Sequence, residues 1–132
     1  MHLIDTNIFL EILLNQKKAE DCEKFLQKVS SGELQCIVSS FTVHAVEGIL
    51  SENLAILETF LKNINNSIGL TIHTTTIGEE LAISIVAQKI GLDFDDSLQY
   101  LTAKKTGAET IISFDGHFDK TDLRRKEPIE VI

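Results

Sequence analysis

Residues 95–115 read DDSLQYLTAKKTGAETIISFD, and the order of signals inside this stretch decides how the whole chain is laid out. Asp93 or Asp95 can cap a helix running to about Lys105, because a short side-chain oxygen satisfies the free N–H groups of a first turn. Gly107 then permits a sharp turn. Glu109 to Phe114 follows as a strand, and its nearly unbroken apolar centre suits a strand covered by helices on both faces. Asp115 stands immediately beyond it.

Working outward from this unit, the same alternation recurs. His2 to Ile4 reads as a short buried strand ending at Asp5, and Asn7 opens a helix in which Ile8, Phe9, Ile12 and Leu13 recur at helical spacing. Lys18 to about Ser30 is a second helix, with Cys22, Phe25, Leu26 and Val29 as its apolar stripe, broken by Gly32. Leu34 to Val38 is a second strand, and Ser39 and Ser40 are candidate caps for a helix through Leu50. Asn53 to Ile64 continues as a helix carried by Leu54, Leu57, Leu61 and Ile64. Leu70 to Ile72 is a third strand, and Thr76 to Ile90 a helix with Leu81, Ile85 and Val86 on its apolar side. Thr76 and Glu79 there have the order of a capping box, and Gly91 ends the helix. Ile129 to Ile132 is expected as an edge strand after a polar stretch containing Arg124, Arg125 and Pro128. Strands alternating with long helices predict an α/β fold with a central parallel sheet flanked by helices.

The 132 residues fit one ordinary domain, and 43% apolar composition supports one core without covalent staples. Cys22 and Cys36 show no pairing framework or CxxC spacing and read as reduced core cysteines. The four histidines, His2, His44, His73 and His117, form no helical metal clamp, so no zinc site is indicated. No leader-like segment opens the chain and no apolar stretch reaches membrane length, which leads to the expectation of a soluble cytoplasmic protein with no membrane partner. Twelve Lys and Arg against twenty Asp and Glu give a formal charge of −8, which argues against broad electrostatic capture of nucleic acid. It leaves room for a nuclease whose reactive centre needs carboxylates.

In an open parallel sheet, ligands gather beyond the carboxyl ends of the strands, where the strand order reverses. Asp5 and Asp115 have that placement, and Asp96 lies in the first turn of the helix preceding the last core strand. Local periodicity does not give the sheet order that would join them. Each also has a plainer use: Asp5 as a helix cap, Asp96 beside Asp93 and Asp95 as a favourable charge at a helix start, Asp115 with Gly116 as a turn. An oxygen-rich site of this kind suits Mg²⁺ or Mn²⁺, which would also polarise a phosphate for hydrolysis.

LIDTNIFLEILL (residues 3–14), followed much later by DDSLQYLTAKKTGAETIISFD, resembles a PIN domain. This is the metal-dependent ribonuclease-like fold common among bacterial and archaeal toxin–antitoxin proteins, including VapC-like toxins. The resemblance runs from Met1 through the region after Phe118 and implies one PIN-like domain over residues 1–132. Its implied acidic set is Asp5, Asp96 and Asp115. Relatives carry another acidic residue early in the helix after the second strand. Here SSFTVHAVEGIL (residues 39–50) sets His44 at that position, with Glu47 one turn later.

Three readings follow: an active site using Glu47, one in which His44 substitutes or assists, or a weakened domain that binds without efficient turnover. Asp119 resembles a further late acidic residue of some relatives, and Asn7, Asp95 and Ser113 are candidates to orient water or ligands. The family also implies RNA as substrate, products with 5′-phosphate and 3′-hydroxyl ends, homodimerisation, and inhibition by a small antitoxin protein. Lys104, Lys105, Arg124, Arg125 and Lys126 are candidate backbone contacts. The alternative class is a catalytically weak PIN-like binding or assembly module. A phosphatase or DNA-directed nuclease is a third reading, because carboxylate geometry specifies the hydrolysed linkage poorly.

Overall fold

Residues 1–132 are all described by a computed structural model. Five strands form one parallel sheet: β1 (His2–Ile4), β2 (Cys36–Ser39), β3 (Leu70–His73), β4 (Thr110–Ile112) and β5 (Arg124–Lys126). Their order is β3-β2-β1-β4-β5. The chain builds outward from β1 to one side through β2 and β3, then returns to its other side with β4 and β5. The order therefore reverses between β1 and β4, where Ile4 stands opposite Ile112 in register.

The three central strands, β1, β2 and β4, are short and buried on both faces, so neighbouring residues serve different layers. Ile4, Cys36, Val38 and Ile112 pack into one core with Ile8, Phe9, Phe25 and Val46. Those partners come from α1 (Thr6–Leu13), α2 (Ala19–Ser30) and α3 (Ser40–Ile49), and α4 (Leu54–Asn66) adds Phe60. Leu3, Ile37 and Ile111 face the other way, against Ala103 of α6 (Phe94–Thr106) and against Phe118 and Leu123. Cys22 and Cys36 are free and buried, and burial pushes both thiols up to about 12.

Local signals set most boundaries. Ser39 caps α3 by accepting from Thr42 N–H, and Asp93, not Asp95, caps α6 by accepting from Asp96 N–H at 2.8 Å. Gly107 ends α6 at φ +77°, a left-handed conformation that costs glycine no Cβ clash. Gly69, entering β3, answers a different constraint. A Cβ there would stand 2.1 Å from the carbonyl oxygen of Leu34 and 2.7 Å from that of Val29.

Two expectations are corrected. The last strand is Arg124–Lys126, and Pro128–Glu130 forms a 3-10 turn where Ile129 to Ile132 was expected to be extended. Edge strands tolerate charge because one side of their backbone stays in water, so a basic triplet can be a strand without an apolar signal. The other correction is α5 (Ile77–Ile90), which packs on α6 through Ile83 and Ala87 while Leu81 and Ile85 stay exposed. This helix carries apolar residues on more than one side, and spacing alone could not choose between them.

Candidate metal centre

The carboxyl ends of β1 and β4 are tied together before any catalytic role is considered. Asp5 follows β1 directly and caps α1, its Oδ1 accepting from Thr6 N–H at 2.8 Å. Its Oδ2 accepts from Ser113 Oγ at 2.6 Å and from Asn7 Nδ2 at 3.3 Å. Ser113 Oγ in turn accepts from the backbone N–H of Asp115 at 2.9 Å. Asn7 closes the link, donating to Ser113 Oγ at 3.2 Å and accepting from Phe114 N–H at 3.4 Å. Asn7 and Ser113 thus set the spacing between two strand ends.

Beneath this edge lies a second polar layer that periodicity did not reveal. Gln99 of α6 is fully buried, donating from Nε2 to Thr42 Oγ1 at 2.7 Å and accepting from Ser39 Oγ at 3.2 Å. Thr42 also meets Thr6 Oγ1 at 2.8 Å. A buried network with its partners satisfied fixes orientation sharply, because a shift in any member strands the others in a low-dielectric interior. It holds α1, α3 and α6 together under the carboxylates.

Above that floor, three donor atoms from Asp96, Asp115 and His117 all lie within 4.8 Å of one another. Asp96 comes from the first turn of α6, where free N–H groups favour negative charge. Asp115 caps the turn Gly116–Lys120, its Oδ1 accepting from the backbone N–H of His117 at 2.9 Å. The His117 ring bends back over both acids, with Nδ1 3.0 Å from Asp115 Oδ1 and 3.2 Å from Asp96 Oδ2. Fully buried Phe118 anchors this turn in the core.

The electrostatics follow from crowding. Burial, chiefly, pushes the Asp5 carboxyl up to about 6, with Asp95 and Asp96 adding to the rise and the bonds from Ser113 and Thr6 opposing it. Asp96 is also pushed up to about 6, first by burial and then by Asp115, Asp93 and Asp95, with His117 opposing. Asp95 is raised by burial and by the charge of Asp93, with the Gln99 amide opposing and Asp115 adding to the rise, and its buried Oδ1 lacks a hydrogen bond of normal geometry. A divalent cation would favour the charged form of every one of these groups. The donor set, carboxylate oxygens with one imidazole nitrogen, fits such an ion.

The other expected residues are placed differently. Glu47 and His44 sit on α3 with Oε1 and Nε2 4.0 Å apart, and neither belongs to the Asp96, Asp115 and His117 cluster. Asp119 gives both carboxylate oxygens to Arg125, at 2.9 and 3.2 Å. Among the basic candidates, Lys104 pairs with Asp122 and Lys105 with Glu79. His117 was missed because the histidines were judged by spacing to one another. The usable signal was its place two residues after a strand-end aspartate.

A family profile described as PIN domain matches residues 2–117. Among solved structures, VapC20 from Mycobacterium tuberculosis, described as a sarcin–ricin loop cleaving toxin, superposes with a TM-score of 0.72 at 13% identity, covering 93% of this chain and 96% of that one. FitAcB from Neisseria gonorrhoeae gives a TM-score of 0.68 at 17% identity, covering 99% of this chain and all of that one. At such identities the likeness is one of fold. No curated protein matches the chain by sequence.

Proposed function

The chain belongs to the PIN-domain family, and from that premise we propose that it is a Mg²⁺- or Mn²⁺-dependent endoribonuclease that hydrolyses RNA phosphodiester bonds. The observation that carries this reading is the meeting of Asp96 and Asp115 with His117 beside buried Asp5, at the point where the strand order reverses. When bound, the cation supplies Lewis acidity toward a phosphate oxygen.

The residues divide the remaining work. Asp96 and Asp115 are the carboxylates that would hold the ion, with buried Asp5 adding its charge beside them. Asp5 also holds the Ser113 hydroxyl, and through it the backbone N–H of Asp115, so the second strand end cannot drift from the first. Asp95 contributes a further half-buried carboxylate to the same edge. Glu47 and His44 enter the reading only as residues on the neighbouring helix.

The likeness to VapC20 and FitAcB supports a role as the toxin of a toxin–antitoxin pair, restrained by a small antitoxin protein and acting as a homodimer in the cytoplasm. No helix is long and apolar enough to cross a membrane. A second reading, a catalytically weak binding or assembly module, is favoured by one observation: α3 contributes no carboxylate to the cluster. Purified protein given single-stranded and structured RNA with Mg²⁺ or Mn²⁺ separates the two. Single-stranded DNA and a small phosphomonoester run in parallel report the linkage cut. Cleavage of RNA that disappears in Asp96→Asn and Asp115→Asn supports the nuclease. Cleavage undiminished in both removes the proposed centre.

A further inference from the structure

The geometry points to His117 as a direct nitrogen ligand of the metal, giving a two-carboxylate, one-imidazole centre that selects Mn²⁺ over Mg²⁺. This rests on the metal-centre reading above and specifies which ion it takes.

The His117 ring has the spacing of a ligand. Two ligands about 2.1 Å from one cation and at right angles to each other are about 3.0 Å apart, the edge of an octahedron. His117 Nδ1 stands 3.0 Å from Asp115 Oδ1 and 3.2 Å from Asp96 Oδ2. The ring already spans two such edges. It is also held from both sides in sequence, since Asp115 caps its backbone N–H and the next residue, Phe118, is locked in the core.

Helix α3 offers no competing donor. Thr42 is the residue of this helix that points at the polar floor, bonding Thr6 and Gln99. At roughly 100° per residue, Ala45 lies about 60° from Thr42 around the helix, whereas His44 and Glu47 lie about 160° and 140° away. The position one turn beyond Thr42 on the site side is thus an alanine, with no donor to offer. His44 is largely exposed and turned to Glu47. A centre that draws no oxygen from this helix takes its further donor from the turn after β4, and that donor is a nitrogen.

Ligand type then sets the ion. Mg²⁺ is a hard cation that prefers oxygen and sheds its waters reluctantly, while imidazole suits transition metals, whose affinities rise from Mn²⁺ along the first row. Replacing a carboxylate oxygen by imidazole weakens the hold on Mg²⁺ more than on Mn²⁺. Changing His117 to aspartate should reverse this.

The test is binding, read without catalysis. Full-length protein is titrated with Mn²⁺ and followed by electron paramagnetic resonance, with Mg²⁺ as competitor, for wild type, His117→Asp and Asp96→Asn. Circular dichroism checks that each is folded. In the wild type, pulsed measurements on bound Mn²⁺ should show modulation from a coordinated nitrogen, absent in His117→Asp. The ratio of Mn²⁺ to Mg²⁺ affinity should fall by about tenfold or more in that variant, the scale on which even supporting residues tune metal sites. Two results would overturn the assignment while leaving the centre itself standing. One is Mn²⁺ bound, and lost in Asp96→Asn, but without nitrogen modulation. The other is modulation that persists in His117→Asp, which would assign the nitrogen elsewhere. An affinity ratio unchanged in that variant overturns the preference for Mn²⁺. No binding of either ion by wild type removes this inference together with the nuclease.

Discussion

Asp5 and Asp115 both cap the helical turn that follows a parallel strand, and the two strands are neighbours, yet the turns have become different devices. The first is closed: Asp5 is 4% exposed and accepts from Thr6, Asn7 and Ser113. The second is open: the Asp115 side chain is 28% exposed, and His117 beside it is 63% exposed. The same local chemistry of a capping carboxylate therefore yields an anchor on one side of the switch point and a solvent-reachable carboxylate on the other. What decides between them is the neighbouring side chains: Asp5 adds the buried Ser113 and Asn7 to its backbone donor, whereas Asp115 adds only the exposed His117 ring to its own.

Several substitutions would break or sharpen that contrast. The largest effect is expected from the open turn: Asp115→Asn should lower RNA cleavage about a hundredfold or more without unfolding, checked by single-turnover assays alongside circular dichroism. At the closed turn, Asp5→Asn should also lower cleavage but should raise the melting temperature of the metal-free protein at pH 7.5. The sign follows from linkage. The folded-state carboxyl is raised to about 6 above its ordinary value of 3.8, so its contribution to stability is complete below about 3.8 and is lost as pH rises through about 6. Wild type freed of metal should therefore gain stability relative to Asp5→Asn between pH 7.5 and 5, measured by thermal melts. An advantage of the variant that stays constant with pH would show that Asp5 is not strained by burial.

Ser113→Ala removes the hydroxyl joining the two turns and leaves buried Asp5 Oδ2 short of its strongest partner. A loss of about 1–3 kcal/mol is expected by urea unfolding, with cleavage reduced because Asp115 loses its tether. The smallest effect belongs to α3. His44→Ala and Glu47→Gln should leave stability within about 0.5 kcal/mol, since they break only a solvent-accessible pair, and should leave metal affinity within about twofold. A large drop in Mn²⁺ affinity for Glu47→Gln would place that carboxylate in the centre after all.

The same contrast explains what the sequence disclosed. Asp5, Asp96 and Asp115 were legible as strand-end and helix-start residues because strands buried on both faces leave a continuous apolar run, and its end is visible. That Asp96 and Asp115 meet, with Asp5 beside them but outside their cluster, was not, since sheet order is decided by contacts between residues as distant as Ile4 and Ile112. Gln99 and Thr42 gave no sign, because a buried polar residue reads like a surface one until its partners are known. β5 gives no apolar signal for a related reason: Arg124, Arg125 and Lys126 suit an edge whose outer side is wet. His117 required the fold of one turn, not of the chain, and its neighbour Asp115 was the clue.

Gly69 carries a consequence at the opposite end of the sheet. Carbonyl oxygens stand where any side chain would begin, so even alanine must push the entry of β3 away from the β2 edge, while the Asp96, Asp115 and His117 cluster sits at the other end of the sheet. Position 69 is therefore a natural seat for conditional alleles: a substitution there should yield a protein that works in the cold and is lost on warming, with its reactive groups untouched.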